Sequence, residues 1–393
     1  MNKFIAGAAK RDVTPEVGVQ LGGYFNRTLP SIGVHDKLFS RAVYLSDDEE
    51  QIMIIGNDQL CLSNVVTEGY LDEIRRNIEA KTRIKQDNII IFSTHTHGAP
   101  DSLGIFGYSE KNKKYFQRLQ SEIVEVAIEA YLKRKEAKIF WAKGSSKIGI
   151  NRRNPISGPT DEELVTIKIS SIYNDTVALL INYACHGVVL GPDNLLITAD
   201  WIGYLENNLE KKYETTTMFL PGASGNINPR TNDTLEKIRN GKDVYDRTGG
   251  TFEEMERFGT IAVEDVQKIL SKATQIQEPK IENKVERVKV KIENKTISNM
   301  IGKNEVITRV SATRVGNIVI VGLPGEAFVE YGLKLKSLTR YVVVPLTLAN
   351  DYIGYLPTEE AFREGGYEPS VSVGLEGTRD IISAAEKLVK SFV

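Results

Sequence analysis

Two of the chain's four histidines stand two positions apart in "NIIIFSTHTHGAP", residues 88–100, at the end of an apolar run. On a strand, positions i and i+2 share a face, so His95 and His97 project together from the strand's C-terminal end. That is where open α/β sheets form ligand crevices. Neutral imidazole is a common zinc ligand, so the pair reads either as metal ligands or as polar residues closing a strand. His186 repeats the context in "ALLINYACHGVVLG", where a second apolar run ends at a histidine. A hydrogen-bonded strand end is the competing reading there too. Cys185 points the other way by alternation and reads as a small buried hydrophobe. His35, in "GVHDKLFSR", precedes a strand instead of leaving one.

With histidine exhausted, a third ligand must be a carboxylate, cysteine or tyrosine. In "IVIVGLPGEAFVEYG" the turn after a strand opens a helix at Glu326, whose carboxylate the helix dipole would keep in its anionic, ligand-competent form. An ordinary first-turn glutamate is the alternative. Asn350, Asp351, Tyr352 and Tyr355 crowd the loop in "LTLANDYIGYLPT", where tyrosines commonly pack. Asp58 closes another strand in "IMIIGND" and is a candidate to support a histidine. Asp200, in "TADWIGY", reads as a helix N-cap.

The elements that must position these residues alternate along the chain. Val-, Ile- and Tyr-rich runs bounded by Gly, Asn, Asp or Pro predict strands over 39–45, 51–56, 88–93, 138–142, 165–170, 176–183, 217–220, 285–292, 307–315, 318–323 and 341–346. Apolar spacing of three and four predicts helices over 63–81, capped by Ser63, and over 112–134, 200–213, 326–336 and 378–392. Thr251 with Glu254 forms a capping-box pattern opening a helix to about residue 270. Alternation of this kind predicts a layered α/β fold, and apparent hairpins at 39–56 and 165–183 make the sheet mixed. The polar stretch 229–250 and the charged stretch 275–300 lack linker composition, so residues 1–393 read as one domain, with a boundary near 275–300 as the alternative.

Composition limits the partners. At 393 residues, 41% hydrophobic and 26% charged, the chain is long enough to bury a core, and no run approaches the roughly eighteen apolar residues of a membrane span. With 50 Lys+Arg against 52 Asp+Glu the net charge is −2, which excludes the basic footprint of a nucleic-acid binder. A small-molecule partner is expected, without membrane insertion. The start reads as lacking a secretory leader, and two cysteines, Cys61 and Cys185, fit a reducing compartment, so a cytoplasmic location is expected.

Taken in order, "AAKRDVTPE", "FSTHTHGAP", "INRR", "NYACHG", "ADWIGY", "GASGNINPR", "GLPGEAF", "ANDYIGYLPT" and "GGYEPS" resemble the neutral, non-lysosomal ceramidase family, colinearly from about Ala6 to about Ser370. The resemblance implies that family's α/β catalytic fold, a mixed sheet with flanking helices, here without its C-terminal β-sandwich. It also implies one zinc ion per chain held by His95, His186, Glu326 and Tyr355, with His97, Arg152 and Tyr367 lining the pocket. This chain departs from the pattern at the nucleophile, where family enzymes carry a serine and "GNINP" carries Asn228. A carboxamide cannot replace a serine nucleophile. Ser224, four residues earlier, would need a rearranged loop.

Zinc with an open position lowers the pKa of bound water to about 7, so loss of the serine need not mean loss of hydrolysis. The expected activity is hydrolysis of an amide (N-acyl) or related carbonyl substrate by metal-activated water. His97 would then move a proton, and Arg152, Asn228 and Tyr367 would hold substrate oxygens or a developing oxyanion. Amide substrates are implied by the resemblance alone. An amidohydrolase barrel lacks its eight βα units here, and a metallo-β-lactamase lacks its HxHxDH. The alternative from another class is a metal-stabilised ligand-binding protein of the same fold that has lost catalysis.

Overall fold

In a computed structural model the chain is described over residues 3–104, 109–231 and 249–392. Most of the polar stretch 229–250, from 232 to 248, lies outside the described residues. The main strands are β1 Ile5–Asp12, β2 Phe39–Ser46, β3 Gln51–Asn57, β4 Ile89–Ser93, β5 Lys135–Ser145, β6 Glu163–Ser171, β7 Thr176–Tyr183, β8 Thr216–Pro221, β9 Ile281–Lys291, β10 Glu305–Val315, β11 Ile318–Gly322 and β12 Val342–Leu346. The main helices are α1 Tyr70–Thr82, α2 Glu110–Leu132, α3 Asp200–Tyr213, α4 Phe252–Leu270, α5 Val329–Ser337 and α6 Leu375–Lys390.

The first sheet runs β8-β7-β6-β5-β1-β2-β3-β4, with the short strand Thr274–Gln275 also on β5; the second runs β9-β10-β11-β12. Alternation along each strand shows how they stack. On β2, Ala42 and Tyr44 face α1 and α2, whereas Val43 and Leu45 face the second sheet. On β11, Ile318 and Ile320 meet the first sheet, whereas Val319 and Val321 meet α5 and α6. The layers are therefore helix, sheet, sheet, helix. The predicted α/β mixed sheet with flanking helices stands, divided into two packed sheets.

One connection occurs three times. The antiparallel pairs β2–β3, β6–β7 and β10–β11 are each followed by a helix (α1, α3, α5) and then by a strand parallel to the second of the pair, namely β4, β8 and β12. His95 leaves β4, His186 leaves β7 and Glu326 leaves β11. The segment after β12 stitches the sheets together there: Thr347 N–H donates to Pro221 O at 2.9 Å, and Asn350 N–H to Ile91 O at 2.7 Å.

Three local expectations are corrected. Ser63 does accept backbone hydrogen bonds, from Val65 and Val66, but it closes a turn, and α1 begins at Tyr70. Glu326 does not open a helix. It pairs in a two-residue parallel strand, Glu326–Ala327 against Tyr355–Leu356, and α5 starts three residues later, with Val329 N–H donating to Asn226 Oδ1 at 2.9 Å. Asp200 is not an N-cap; Ala199 takes that position and Asp200 is the first helical residue.

Candidate metal centre

His95 sits two residues beyond β4 in a left-handed conformation, φ 66°, its N–H donating to Gln59 O at 3.0 Å. The bend aims Nε2 at Glu326 Oε2, 3.2 Å away, and sets Nδ1 2.7 Å from Leu60 O. His186 is held the same way, Nδ1 3.0 Å from Ile227 O and Nε2 3.0 Å from Glu326 Oε2. A carbonyl can only accept, so each Nδ1 carries the hydrogen and each Nε2 keeps its lone pair. Two lone pairs and a carboxylate oxygen thus face one another, their donor atoms within 4.8 Å. Three acceptors at that spacing repel unless a cation lies among them, and imidazoles anchored through the far nitrogen are what a divalent metal requires. The donor set fits zinc.

In the metal-free protein a proton on an imidazole Nε2 would stand in for that cation, and the ionised Glu326 beside it favours this. Burial brings the His186 imidazole down to about 4, against the raising influence of Glu326. Burial works to raise the Glu326 carboxyl, but His95 and His186 hold it well below the usual carboxylate range. Glu326 is therefore an anion without help from a helix dipole.

His97, the other histidine of the pair, is half-buried with its Nε2 3.4 Å from His95 Nε2. Its ring meets Tyr24 edge-on, centroids 4.7 Å apart. Gly23, φ 95°, packs against the same side chain: a Cβ there would lie 2.3 Å from His97 Cγ, so only glycine fits. Burial, then His95 and His186, puts the His97 imidazole well below its ordinary pKa, leaving it neutral.

Arg152 and Asn228 arrive together because strand Gly149–Asn151 pairs antiparallel with Ile227–Pro229. Arg152 Nη1 donates to Asn228 Oδ1 at 3.2 Å, Nη2 to Gly225 O at 2.6 Å and Nε to Glu368 Oε1 at 2.9 Å. Its guanidinium carbon stands 5.5 Å from the centre of the Tyr355 ring, which meets Tyr367 at 5.7 Å. Tyr355 pairs with Glu326 across the short parallel strands. Burial and then Glu326 raise the Tyr355 phenol well above its ordinary pKa, and Tyr367 to about 12. Ser224 is buried on the loop before Asn228. His35 lies apart, stacked on Phe252 and 2.8 Å from Asp36, and Cys185 is buried as expected.

Two participants escape sequence reasoning. Tyr352, one of the tyrosines read as packing, donates its hydroxyl to Glu326 Oε1 at 2.7 Å. Glu368 is fully buried and pairs with both Arg152 and Arg153, the latter at 2.8 Å. The only signal for it was its place in "GGYEPS" beside Tyr367.

A cavity of about 200 Å³ opens from His95, His97, Glu326 and Tyr355. Beyond the polar end its walls are apolar, with Leu60, Val65, Leu103, Ile297, Val306 and Ile353.

Residues 4–228 match the family described as neutral/alkaline non-lysosomal ceramidase, N-terminal. The chain is 25% identical over 237 residues to neutral ceramidase of Drosophila pseudoobscura pseudoobscura, covering 55% of this chain and 33% of that protein. It is 25% identical over 260 residues to neutral ceramidase of Oryza sativa subsp. japonica, covering 60% and 32%. The matches thus span about a third of these curated relatives' length. The fold superposes on neutral ceramidase from Pseudomonas aeruginosa with a TM-score of 0.82 at 16% identity, covering 100% of this chain and 74% of that one. For a ceramidase complexed with C2 the TM-score is 0.79, at 16% identity, covering 99% and 74%.

Proposed function

The chain belongs to the neutral/alkaline non-lysosomal ceramidase family, and from that premise we propose that it is a zinc-dependent hydrolase of an amide (N-acyl) or related carbonyl substrate. The observation that carries the reading is the convergence of His95 Nε2, His186 Nε2 and Glu326 Oε2 within 4.8 Å, both imidazoles anchored through Nδ1. Tyr355, paired with Glu326, is proposed as the fourth ligand. Zinc bound there supplies Lewis acidity, polarising a carbonyl and making water a nucleophile near neutral pH.

The protein's own groups do the rest. Neutral His97 takes the proton from the attacking water and delivers it to the leaving nitrogen; an O–C bond forms as the C–N bond breaks. Arg152 and Tyr367 hold the oxygen on which negative charge develops. Asn228 accepts from Arg152 through Oδ1, and its amide N–H groups are the part of the side chain that would serve as donors. The apolar cavity beside this polar end suits the hydrocarbon of an acyl group. A small-molecule substrate and a cytoplasmic location belong to the same proposal, the latter resting on Cys61 and Cys185, both buried free thiols. Among the described residues no helix is long and apolar enough to cross a membrane.

The test combines metal analysis of purified protein with a screen of N-acyl compounds for amine release. Stoichiometric zinc is expected in the parent and in His97→Ala, and loss of most of it in His95→Ala and His186→Ala. Turnover should disappear in His97→Ala although zinc is retained. Zinc unchanged in both ligand variants rejects the assignment. Zinc with a bound acyl ligand and no turnover supports instead the binding-protein reading, which the replacement at Asn228 favours.

A further inference from the structure

Both histidine-bearing loops are fastened to one short segment, residues 198–201, which neither ligates nor lines the cavity. On the first loop, Thr96 Oγ1 donates to Thr198 O at 2.7 Å and Thr198 N–H donates to Gly98 O at 3.1 Å. Gly98 lies so close that a Cβ would stand 2.4 Å from Thr198 O. On the second loop, the Trp201 indole N–H donates to the carbonyl oxygen of His186 itself at 2.8 Å. The Asp200 carboxylate accepts from Val189 N–H at 2.9 Å and Leu190 N–H at 3.0 Å, and also from Trp201 N–H at 2.7 Å. Trp201 is fully buried and Asp200 nearly so.

Asp200 makes these bonds from a left-handed backbone, φ 58°, a conformation that L residues other than Asn and Asp seldom adopt. Its N–H donates to Thr198 Oγ1 at 3.0 Å, which ties the kink to the first loop's anchor. The loops also touch directly, a Cβ at Gly187 lying 3.3 Å from Thr94 O. A strained backbone residue persists only where the surrounding contacts over-determine it.

We propose that residues 198–201 clamp the two loops at the separation the metal needs, with Asp200 and Trp201 as positioning residues of the centre. The proposal rests on the metal reading above. It assigns Trp201 a role through the His186 carbonyl, and Asp200 a role through the amides that follow His186. Neither residue touches an imidazole; both act through the backbone that carries His186, and groups that orient a metal ligand from outside typically change metal affinity by about 10- to 100-fold when removed.

Cobalt(II) is the probe, because its d–d bands report ligand geometry without turnover. Trp201→Phe keeps a six-membered ring in place but removes the pyrrole half of the indole together with its N–H, so some packing is lost with the donor. It should lower cobalt affinity by about 10-fold or more and shift the bands, a change of ligand geometry that loss of packing alone would not produce. Asp200→Ala should do the same more strongly, and Asp200→Asn, which tolerates the left-handed backbone and keeps one oxygen, should restore part of the loss. Parent bands and affinity in Trp201→Phe overturn the proposal, even if Asp200→Ala fails to fold. A variant that loses stability without metal yet keeps the parent spectrum shows packing only and also overturns it. A parent that takes up no cobalt rejects the metal reading itself, and the clamp with it.

Discussion

Arg152 donates to Asn228 through Nη1 while Glu368 holds it through Nε. Burial works to raise the Glu368 carboxyl, yet Arg152 and then Arg153 bring it below its ordinary pKa. A folded-state pKa below the unfolded value favours the ionised form in the native protein. The resulting stabilisation is complete above the unfolded glutamate pKa of about 4.3 and is lost as pH falls through the lower folded value. Glu368→Gln should therefore be less stable than the parent at pH 7, with the gap closing on acidification below about pH 4. Denaturant midpoints of both proteins across pH 3 to 7, at about unit intervals, check it; a gap that is constant or widens toward acid contradicts the pairing. Glu368 was not legible in the sequence because its partners are 215 and 216 residues away. Histidine was legible because it is scarce and twice follows an apolar strand. Asp200 was misread for a physical reason: an aspartate at a helix start normally caps it, and only the left-handed backbone turns its carboxylate back to the preceding loop.

Strand β8 ends one edge of the first sheet in hydrogen-bonding order, and its outward N–H groups are covered by a helix. Glu206 and Glu210, one turn apart on α3, accept from Phe219 N–H at 2.8 Å and Thr217 N–H at 3.1 Å. The same carboxylates, with Asp58, surround the buried Arg41 of β2 at 2.8–3.0 Å. The arginine thus ties the helix guarding the edge to the middle of the sheet. Removing it leaves three carboxylates buried together, with Lys10 still paired to Glu210. Arg41→Ala should destabilise the fold by about 3–5 kcal/mol. Urea unfolding is the measurement, and a change below about 1 kcal/mol would mean the cluster is solvated in a way this burial does not allow. The elements themselves were mostly readable: Thr251 and Glu254 form the capping box their spacing predicted. Strand β1, "IAGAAKRD", was not read, since alanine and glycine carry little strand propensity. Its composition answers to packing: a Cβ at Gly7 would lie 2.2 Å from Ala130 O on α2.

Hairpins in the sequence indicated a mixed sheet, but not that there are two, because a strand covered on both faces reads as one apolar run whatever covers it. The charged stretch 275–300, the alternative boundary, proves to be where the chain passes between the sheets. Thr274–Gln275 is the last pairing on the first, and β9 begins the second at Ile281. Ile276 and Ile281 themselves join the apolar layer between the sheets, with Ile54 and Ile90 from one side and Ile318, Ile320 and Val344 from the other. A layer built from both halves cannot lose one half and keep its burial. We therefore propose that residues 1–393 unfold as a single cooperative unit. Ile320 is buried at the centre of that layer, and Ile320→Ala should cost about 2–5 kcal/mol. In calorimetry of metal-free protein the whole transition should move down together, calorimetric and van't Hoff enthalpies remaining equal. Two transitions, of which only the one assigned to the C-terminal part moves, would restore the boundary. The same experiment bears on the metal centre, because His95 and His186 come from the first sheet and Glu326 from the second. If the sheets unfold together, saturating zinc should raise that single transition, since the three donors converge only in the native state; if they part independently, the metal should instead hold them together and merge two transitions into one.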